Sequence, residues 1–152
     1  MKKLVLENFL PYRLNRVASA VSRDFKAVYG RHFDLTVPEW RVLATLGQFG
    51  EMGAKAIGTH SCMHKTKVSR AVRALEKRRW LKRRGVPEDR REEILGLTAL
   101  GQDAYAEIIP RAIAFEKALL AGLGPEAKAL LAALERLEAH VGLCGDVEPA
   151  EQ

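Results

Sequence analysis

A segment that begins near Lys65 carries basic and hydroxyl side chains on one face of a predicted helix. With Val68 at the centre of the buried side, Val72 and Leu75 fall within about 40° of it at about 100° per residue. The opposite and flanking positions carry basic or hydroxyl side chains: Lys65, Thr66, Lys67, Ser69, Arg70, Arg73 and Lys77. Arginine can bind guanine bidentately, and lysine mostly contacts phosphate. This basic helix (residues 65–78) therefore predicts DNA contacts, whereas a merely solvated face would mix both signs of charge.

Five more cations surround a predicted hairpin that follows: Lys82, Arg83, Arg84, Arg90 and Arg91. We predict antiparallel strands at 81–84 and 92–97 around a turn at 85–90. Arg84, Arg90 and Arg91 are predicted DNA contacts, with Arg90 suited to the minor groove of A·T-rich DNA. Asp89 is interpreted as an Asx-type turn former that pairs with a neighbouring arginine and orients it; the alternative is an ordinary turn residue.

The positive charge is confined to this part of the chain. Residues 60–94 contain twelve Lys/Arg and five Asp/Glu, a net +7, while the whole chain is +6, so the other 117 residues sum to −1. A local basic patch is typical of a surface that binds a polyanion. We expect Lys77, Arg78, Lys82 and Arg84 to supply affinity through phosphate contacts.

Several helices must position these groups. A stripe of apolar residues predicts a helix over residues 10–29. Thr36 and Glu39 form a predicted capping box for a helix that ends near Phe49. A short helix over 54–60 and the basic helix complete three helices with the lengths of a helix-turn-helix. Thr98 is the predicted cap of a long helix to about Leu123, and a final helix extends from 126 to about 141.

This order and three motifs resemble the MarR family of winged-helix transcriptional regulators. The motifs are LTVPEWRVLATL, KTKVSRAVRALE and DRREEILGLTALG, and the resemblance covers roughly residues 10–141. It implies a mainly α fold with a small β-hairpin wing. It also implies a homodimer formed by the terminal helices, a recognition helix in the major groove, a wing in the minor groove, and often repression that a small molecule relieves.

The domain boundaries follow from these elements. We predict a winged helix-turn-helix DNA-binding domain over 34–97, a helical dimerisation region over 1–33 and 98–145, and a flexible tail over 146–152. Independently of the family, the terminal helices carry more apolar surface than the winged helix-turn-helix domain alone could cover. A two-fold dimer would bury that surface and place two recognition helices ~34–36 Å apart on a pseudo-palindromic operator.

One position departs from the family pattern. The family usually has Gly-Leu-Val after the recognition helix, where this chain has Arg79-Trp80-Leu81. Glycine adopts the left-handed conformation that ends many helices. Arg79 must adopt the same conformation at a cost of ~1 kcal/mol, or the helix must end differently.

The resemblance also implies an effector site between the dimer helices and the helix-turn-helix. The candidates are Tyr12, Arg13, Arg16, His32 and Trp40. An aromatic wall with cations suits a small aromatic or phenolic acid. The alternative, in which Trp40 is core and the arginines are surface residues, stays open.

The run His60-x-Cys62-x-His64 invites a zinc interpretation. The alternating spacing does not place all three on one helical face, and no nearby carboxylate completes a ligand set, so we predict no metal and no cofactor. Cys62 as a redox switch is an alternative without an evident resolving partner.

Other functional classes lack their motifs. The chain contains no G-x-S-x-G, P-loop or H-E-x-x-H sequence, so we predict no enzyme. It has no apolar run of 18 residues and no secretory h-region, which predicts a cytoplasmic protein without a membrane partner. We therefore predict a sequence-specific, ligand-responsive repressor that binds double-stranded DNA as a homodimer. The alternative is a winged-helix module that binds proteins and not DNA.

Overall fold

The computed structural model describes residues 1 and 3–143, without the side chains of residues 90–92. The predicted tail over 146–152 and the last two residues of the predicted dimerisation region, 144 and 145, lie outside the described residues. After a short 3₁₀ turn at Leu6–Asn8, the elements are α1 Leu10–Phe33, α2 Val37–Phe49, β1 Met52–Gly53, α3 Ala54–His60, α4 Lys65–Lys77, β2 Leu81–Val86, β3 Asp89–Leu97, α5 Ala99–Leu123 and α6 Glu126–His140. The predicted fold class, mainly helical with a small antiparallel wing, is confirmed.

The first helix is longer than the apolar stripe indicated. The prediction that it ends at Tyr29 is wrong, because Gly30 continues the helix and Asp34 ends it in a left-handed conformation with φ 50°. The Asp34 N–H donates to the carbonyl of Gly30 at 2.9 Å. The turn into α2 is therefore set by a non-glycine residue, which a glycine-based rule overlooks.

The cap of α2 is as predicted. The Thr36 hydroxyl accepts a hydrogen bond from the Glu39 N–H at 3.4 Å, and the Glu39 carboxylate accepts from the Thr36 N–H at 3.1 Å. Each side chain thus satisfies a backbone donor that the first helical turn leaves unpaired. The helix that follows buries Leu43 and Leu46 in the core.

The sheet has one more strand than predicted, in the order β1-β3-β2. Met52 pairs with Leu95 and Gly53 with Ile94, which adds β1 to the hairpin. The predicted hairpin strands were too short, because β2 extends to Val86 and β3 begins at Asp89, leaving a turn of Pro87 and Glu88. We call the β2–β3 hairpin the wing.

The core lies where the helix-turn-helix meets the wing and the adjoining halves of α1 and α5. Its fully buried members include Tyr29, Leu43, Ile57, Leu75 and Ile108. By contrast, α6 contributes no buried residue. Within the described residues, no helix is both long and apolar enough to cross a membrane.

Candidate nucleic-acid interface

The basic helix is α4, and it faces the core as predicted. Val68, Ala71, Val72 and Leu75 are buried on the side that packs against α2 and α3. The predicted contact residues on the helix are all exposed: Lys65, Thr66, Lys67, Ser69, Arg70, Arg73 and Lys77. The helix therefore presents a polar, mainly cationic surface to the solvent and is fixed from behind by apolar packing.

The start of α4 is set by a tight turn from α3. Cys62 is left-handed with φ 51°, and the Met63 N–H donates to the carbonyl of Gly58 at 2.9 Å. His64 is the N-cap residue, and its Nδ1 accepts from the Thr66 N–H at 3.4 Å. This hydrogen bond requires an unprotonated Nδ1, because a protonated nitrogen has no lone pair to accept with.

The end of α4 shows how the chain accommodates Arg79 at the position where the family usually has glycine. Arg79 adopts the left-handed conformation with φ 62°. The Trp80 N–H donates to the carbonyl of Leu75 at 3.0 Å and the Arg79 N–H to that of Glu76 at 2.8 Å. This pair of bonds is a Schellman motif, which ends a helix by satisfying its last carbonyls. Of the two predicted alternatives, the chain therefore uses the left-handed one.

Arg78 is half-buried and is held by the C-terminus of α1. Its guanidinium donates to the carbonyls of Phe33 at 2.7 Å and Asp34 at 2.6 Å, and it lies 5.4 Å from the ring centroid of Trp80. These bonds satisfy carbonyls at the C-terminus of α1. Arg78 therefore links α1 to the α4–wing junction, and its contribution to DNA affinity stays a prediction.

Arg83 connects the wing to the basic helix. Its Nε and Nη2 donate to the two carboxylate oxygens of Glu76 at 2.6 and 3.0 Å, and its Nη1 donates to Glu93 at 2.6 Å. The hydrogen bonds to Glu76 and then to Glu93 raise the pKa of Arg83. A bidentate pair fixes orientation as well as distance, so Arg83 sets the angle between the wing and α4.

The opposite face of β2 is paired as well. Glu51 accepts from Arg84 at 2.9 Å and lies 3.6 Å from the ammonium of Lys82. The hydrogen bond from Arg84 is the largest cause that lowers the pKa of Glu51. A Cβ on Gly96 would lie 2.9 Å from the Glu51 side chain, so the missing side chain at Gly96 leaves room for Glu51 in this position. Arg84 stays exposed, and its DNA contact stays a prediction.

The tip of the wing differs from the predicted turn. Asp89 is the first residue of β3 and its Cα pairs with Val86, so it flanks the turn and does not lie inside it. Its proposed pairing with an arginine stays a prediction. The side chains of Arg90 and Arg91, both predicted DNA contacts, lie outside the described residues.

The five predicted effector residues are not brought together in one chain. Tyr12 and Arg16 form a cation–π contact of 5.7 Å near the start of α1. His32 is exposed near its other end, 20 residues and so about 30 Å away along the helix. Arg13 is exposed at the Tyr12 end.

Trp40 belongs to an aromatic cluster between α1, α2 and α5. Its ring lies 5.4 Å from Phe25 and stacks on Tyr29 at 5.5 Å, and Phe115 lies 5.1 Å from Phe25. Burial is the main cause that raises the pKa of Tyr29 to about 12. Trp40, Phe25 and Phe115 line an apolar groove of about 460 Å³ between α1 and α5.

Two further grooves flank the basic helix. One, of about 540 Å³, lies toward the wing and includes Lys65, Ser69 and Arg83. The other, of about 610 Å³, lies toward α1 and includes Lys67. Three cations of this second groove were missed by sequence reasoning: Arg23, Lys26 and Arg41. They stand on two other helices, so only the packing of α1 and α2 beside α4 brings them near Lys67.

The histidines of the His60-x-Cys62-x-His64 run have separate structural contacts. The ring of His60 lies 4.6 Å from that of Phe49, whereas His64 caps α4. Cys62 is exposed with a free thiol. In the part of the chain that the structure describes, no group of three or more His, Cys, Asp or Glu residues could hold a metal ion.

Comparisons with known proteins agree with this geometry. A model of the MarR family matches residues 35–92. The uncharacterized HTH-type transcriptional regulator YwoH of Bacillus subtilis is 33% identical over 105 residues, which are 69% of this chain and 76% of YwoH.

Solved structures are similar over nearly the whole chain. A MarR/EmrR family transcriptional regulator from Acinetobacter sp. ADP1 aligns with a TM-score of 0.80 at 26% identity, covering 91% of this chain and 99% of that one. BpsR of Bordetella bronchiseptica, whose DNA binding is regulated by 6-hydroxynicotinic acid, aligns with a TM-score of 0.77 at 20% identity, covering 91% and 98%. The second likeness concerns the fold alone.

Proposed function

We propose a function from one premise: the chain belongs to the MarR family of winged-helix transcriptional regulators. Members of this family regulate transcription and are not enzymes, so the chain is a DNA-binding regulator. Our finer proposal is a ligand-responsive repressor that binds a pseudo-palindromic operator as a homodimer. The domain limits of 34–97 for DNA binding, with 1–33 and 98–145 for dimerisation, belong to this proposal.

The exposed face of α4 is the observation that carries it. Arg70, Arg73 and Lys77 are exposed on this face, and the helix's acid, Glu76, is turned aside into its pair with Arg83. In the described part of the chain, no ion pair occupies Arg70, Arg73 or Lys77. A major groove ~12 Å wide admits one helix, so these side chains can reach base edges and phosphates. Such an unpaired cationic face suits a polyanion such as DNA.

The terminal helices support the homodimer. Large apolar side chains are exposed at both ends of the described chain: Leu4, Leu6, Phe9, Leu14, Val17, Leu119, Leu123, Leu130, Leu131, Val141 and Leu143. An apolar patch of this extent is typical of an interface. A two-fold axis through these helices would cover it and present two α4 helices to one face of DNA.

The effector proposal centres on Trp40. The apolar groove that Trp40 lines with Phe25 and Phe115 suits an aromatic ring. Tyr12, Arg13 and Arg16 are not among the residues that line this groove, so their part in an effector site is proposed from the family resemblance alone. His32 lies too far along α1 to join them in the same chain. By analogy with BpsR, a small aromatic acid is the proposed effector class.

Selection from a random duplex pool followed by titration tests the DNA proposal. We expect a selected site with two related half-sites ~34–36 Å apart and an affinity that falls steeply between two salt concentrations. Light scattering should give twice the 16.9 kDa mass of one chain. Equal affinity for selected and random duplex would contradict sequence-specific binding and favour the protein-binding alternative.

A further inference from the structure

The groove between α1 and the basic helix concentrates positive charge from three elements. Arg23 and Lys26 come from α1, Arg41 from α2, and Lys67 from α4. His64, the N-cap of α4, lies beside them. Among the described residues that line this α1–α4 groove, none is acidic. Its volume of about 610 Å³ is ample for a small ligand.

These cations lack the partners that cations elsewhere in the molecule have. Within the described residues, no ion pair involves Arg23, Lys26, Arg41 or Lys67, although Arg78, Arg83, Arg84 and Arg111 are all paired with carboxylates. Like charges three or four residues apart on a helix, such as Arg23 and Lys26, repel each other. A concave surface lined by one sign of charge focuses its field and attracts a counter-ion.

The lining of the α1–α4 groove also indicates what kind of anion fits. No Phe, Tyr or Trp side chain is among its described lining residues, and Ser19, Ser22 and Asn15 add neutral hydrogen-bonding groups. The apolar groove at Trp40 has the reverse character, with an aromatic wall and one charged residue, Glu116. The two grooves therefore favour different ligands.

We infer that the α1–α4 groove binds a small, non-aromatic anion with two or more negative charges, of the phosphate or diphosphate class. Arg23 and Arg41 can each offer a planar fork of donors to its oxygens, and Lys26 and Lys67 contribute ammonium donors. The site adjoins the Trp40 groove proposed for an aromatic effector, sharing Ala18 and Ser22 with it, but differs from it in charge.

Such a ligand would join the basic helix to α1. Lys67 belongs to α4 and is itself a predicted DNA contact, so an anion that engages Lys67 competes with DNA phosphate for it. Bound anion would therefore weaken DNA binding. This consequence rests on the proposed function, whereas anion binding by the free protein does not.

Thermal unfolding of the full chain with inorganic pyrophosphate tests the site, with sodium chloride holding ionic strength constant. A ligand that binds only the folded state raises Tm as its concentration passes Kd. We expect this rise in the natural protein. The variant Arg23→Gln/Arg41→Gln should require at least about tenfold more pyrophosphate, since two charge-assisted contacts are lost. Both arginines are exposed, so the variant should fold.

The control Lys117→Gln/Arg136→Gln removes the same charge from exposed positions outside the groove. It should respond to pyrophosphate as the natural protein does. An equal loss of response in both variants, or no response in the natural protein, would overturn the site.

DNA binding is measured in parallel at the same ionic strength. We expect pyrophosphate to weaken the DNA binding of the natural protein and to leave that of the groove variant nearly unchanged. If the groove variant lost DNA affinity without pyrophosphate, and the natural protein showed no thermal response, the groove would be part of the DNA surface and the inference would be wrong. Absence of DNA binding with an intact thermal response would instead count against the proposed function alone.

Discussion

The wing and the basic helix are both rich in arginine and lysine, but they use these residues in opposite ways. In the wing, Arg83 is bound by Glu76 and Glu93, and Arg84 by Glu51. On α4, Arg70 and Arg73 are exposed and join no ion pair within the described residues. A paired cation fixes the position of an element, whereas an unpaired one is available to a ligand.

This difference changes what the net charge of residues 60–94 means. Four of its twelve cations form ion pairs with carboxylates of the same chain: Arg78, Lys82, Arg83 and Arg84. The accessible positive charge is therefore centred on α4 and extends along the α1–α4 groove, and less of it lies on the base of the wing. A count of charges from sequence does not separate the paired cations of β2 from the unpaired ones of α4, and it omits the groove cations Arg23, Lys26 and Arg41.

The largest expected effect concerns an unpaired cation. Arg70→Ala should weaken binding to the selected site by about 10- to 100-fold, because a bidentate base contact contributes about 1–3 kcal/mol. The Tm of the free protein should stay unchanged, because Arg70 is exposed and no ion pair in the described chain depends on it. Fluorescence anisotropy and thermal unfolding measure the two quantities.

Arg83→Ala is the contrasting variant for the same measurements. It should lower Tm, since two carboxylates lose their common partner, and it should affect DNA binding only through the angle of the wing. The comparison between the two regions fails if Arg70→Ala lowers Tm as much as Arg83→Ala does.

Arg78 and Lys77, which are neighbours in sequence, allow the same comparison of a paired and an unpaired cation with a smaller expected effect. Arg78→Gln removes two charge-assisted hydrogen bonds to the carbonyls of Phe33 and Asp34. We expect a loss of about 1–3 kcal/mol of unfolding free energy, which is several degrees of Tm for a chain of this length. Lys77→Gln removes the same charge from an exposed position and should leave Tm within about 1 °C, because surface substitutions are usually nearly neutral.

DNA affinity should respond in the reverse order. Lys77 is a predicted phosphate contact, so Lys77→Gln should reduce affinity at low salt more than Arg78→Gln does, once both variants are measured well below their Tm. A larger loss of affinity in Arg78→Gln at that temperature would mean that Arg78 contacts DNA directly.

Features that depend on neighbours along the chain could be predicted from the sequence. The buried face of α4 follows from the spacing of Val68, Val72 and Leu75, and the cap of α2 from Thr36 and Glu39 three residues apart. The same local reasoning leaves two possibilities at Arg79: a left-handed backbone conformation or a different helix end. In the left-handed conformation the Arg79 carbonyl accepts a hydrogen bond at 2.6 Å from the hydroxyl of Thr98, the N-cap of α5, a contact that local reasoning does not include.

Features that depend on distant partners were not predictable in this way. Arg78 donates to carbonyls 44 and 45 residues earlier in the chain, so its sequence neighbours do not reveal that it links α1 to the end of α4. The cations of the α1–α4 groove come from three helices, and α1 in particular was interpreted through its apolar stripe. A two-residue strand such as β1 is too short for any alternation of apolar and polar residues to show.

The smallest expected effect on stability comes from a change at Glu51. Removing its charge tests whether Lys82 and Arg84, once unpaired, become available to DNA. The pKa of Glu51 lies below its ordinary value of 4.5, first because of the hydrogen bond from Arg84. A carboxyl with a lowered folded-state pKa stabilises the protein above pH 4.5, and this contribution is lost as pH falls through the folded-state pKa. Glu51→Gln should therefore lower Tm at pH 7 slightly, by an amount that vanishes well below pH 4.5.

The loss at pH 7 should be at most about 1 kcal/mol, since the Glu51 side chain is 39% exposed and solvent screens its pairs. The same change frees Lys82 and Arg84 for DNA phosphate. Each new phosphate contact makes the slope of log affinity against log salt steeper by about 0.9, so Glu51→Gln should bind random duplex more tightly at low salt with a steeper slope. An unchanged slope would mean that these two cations do not reach DNA even when free, and that β2 serves only to hold the wing.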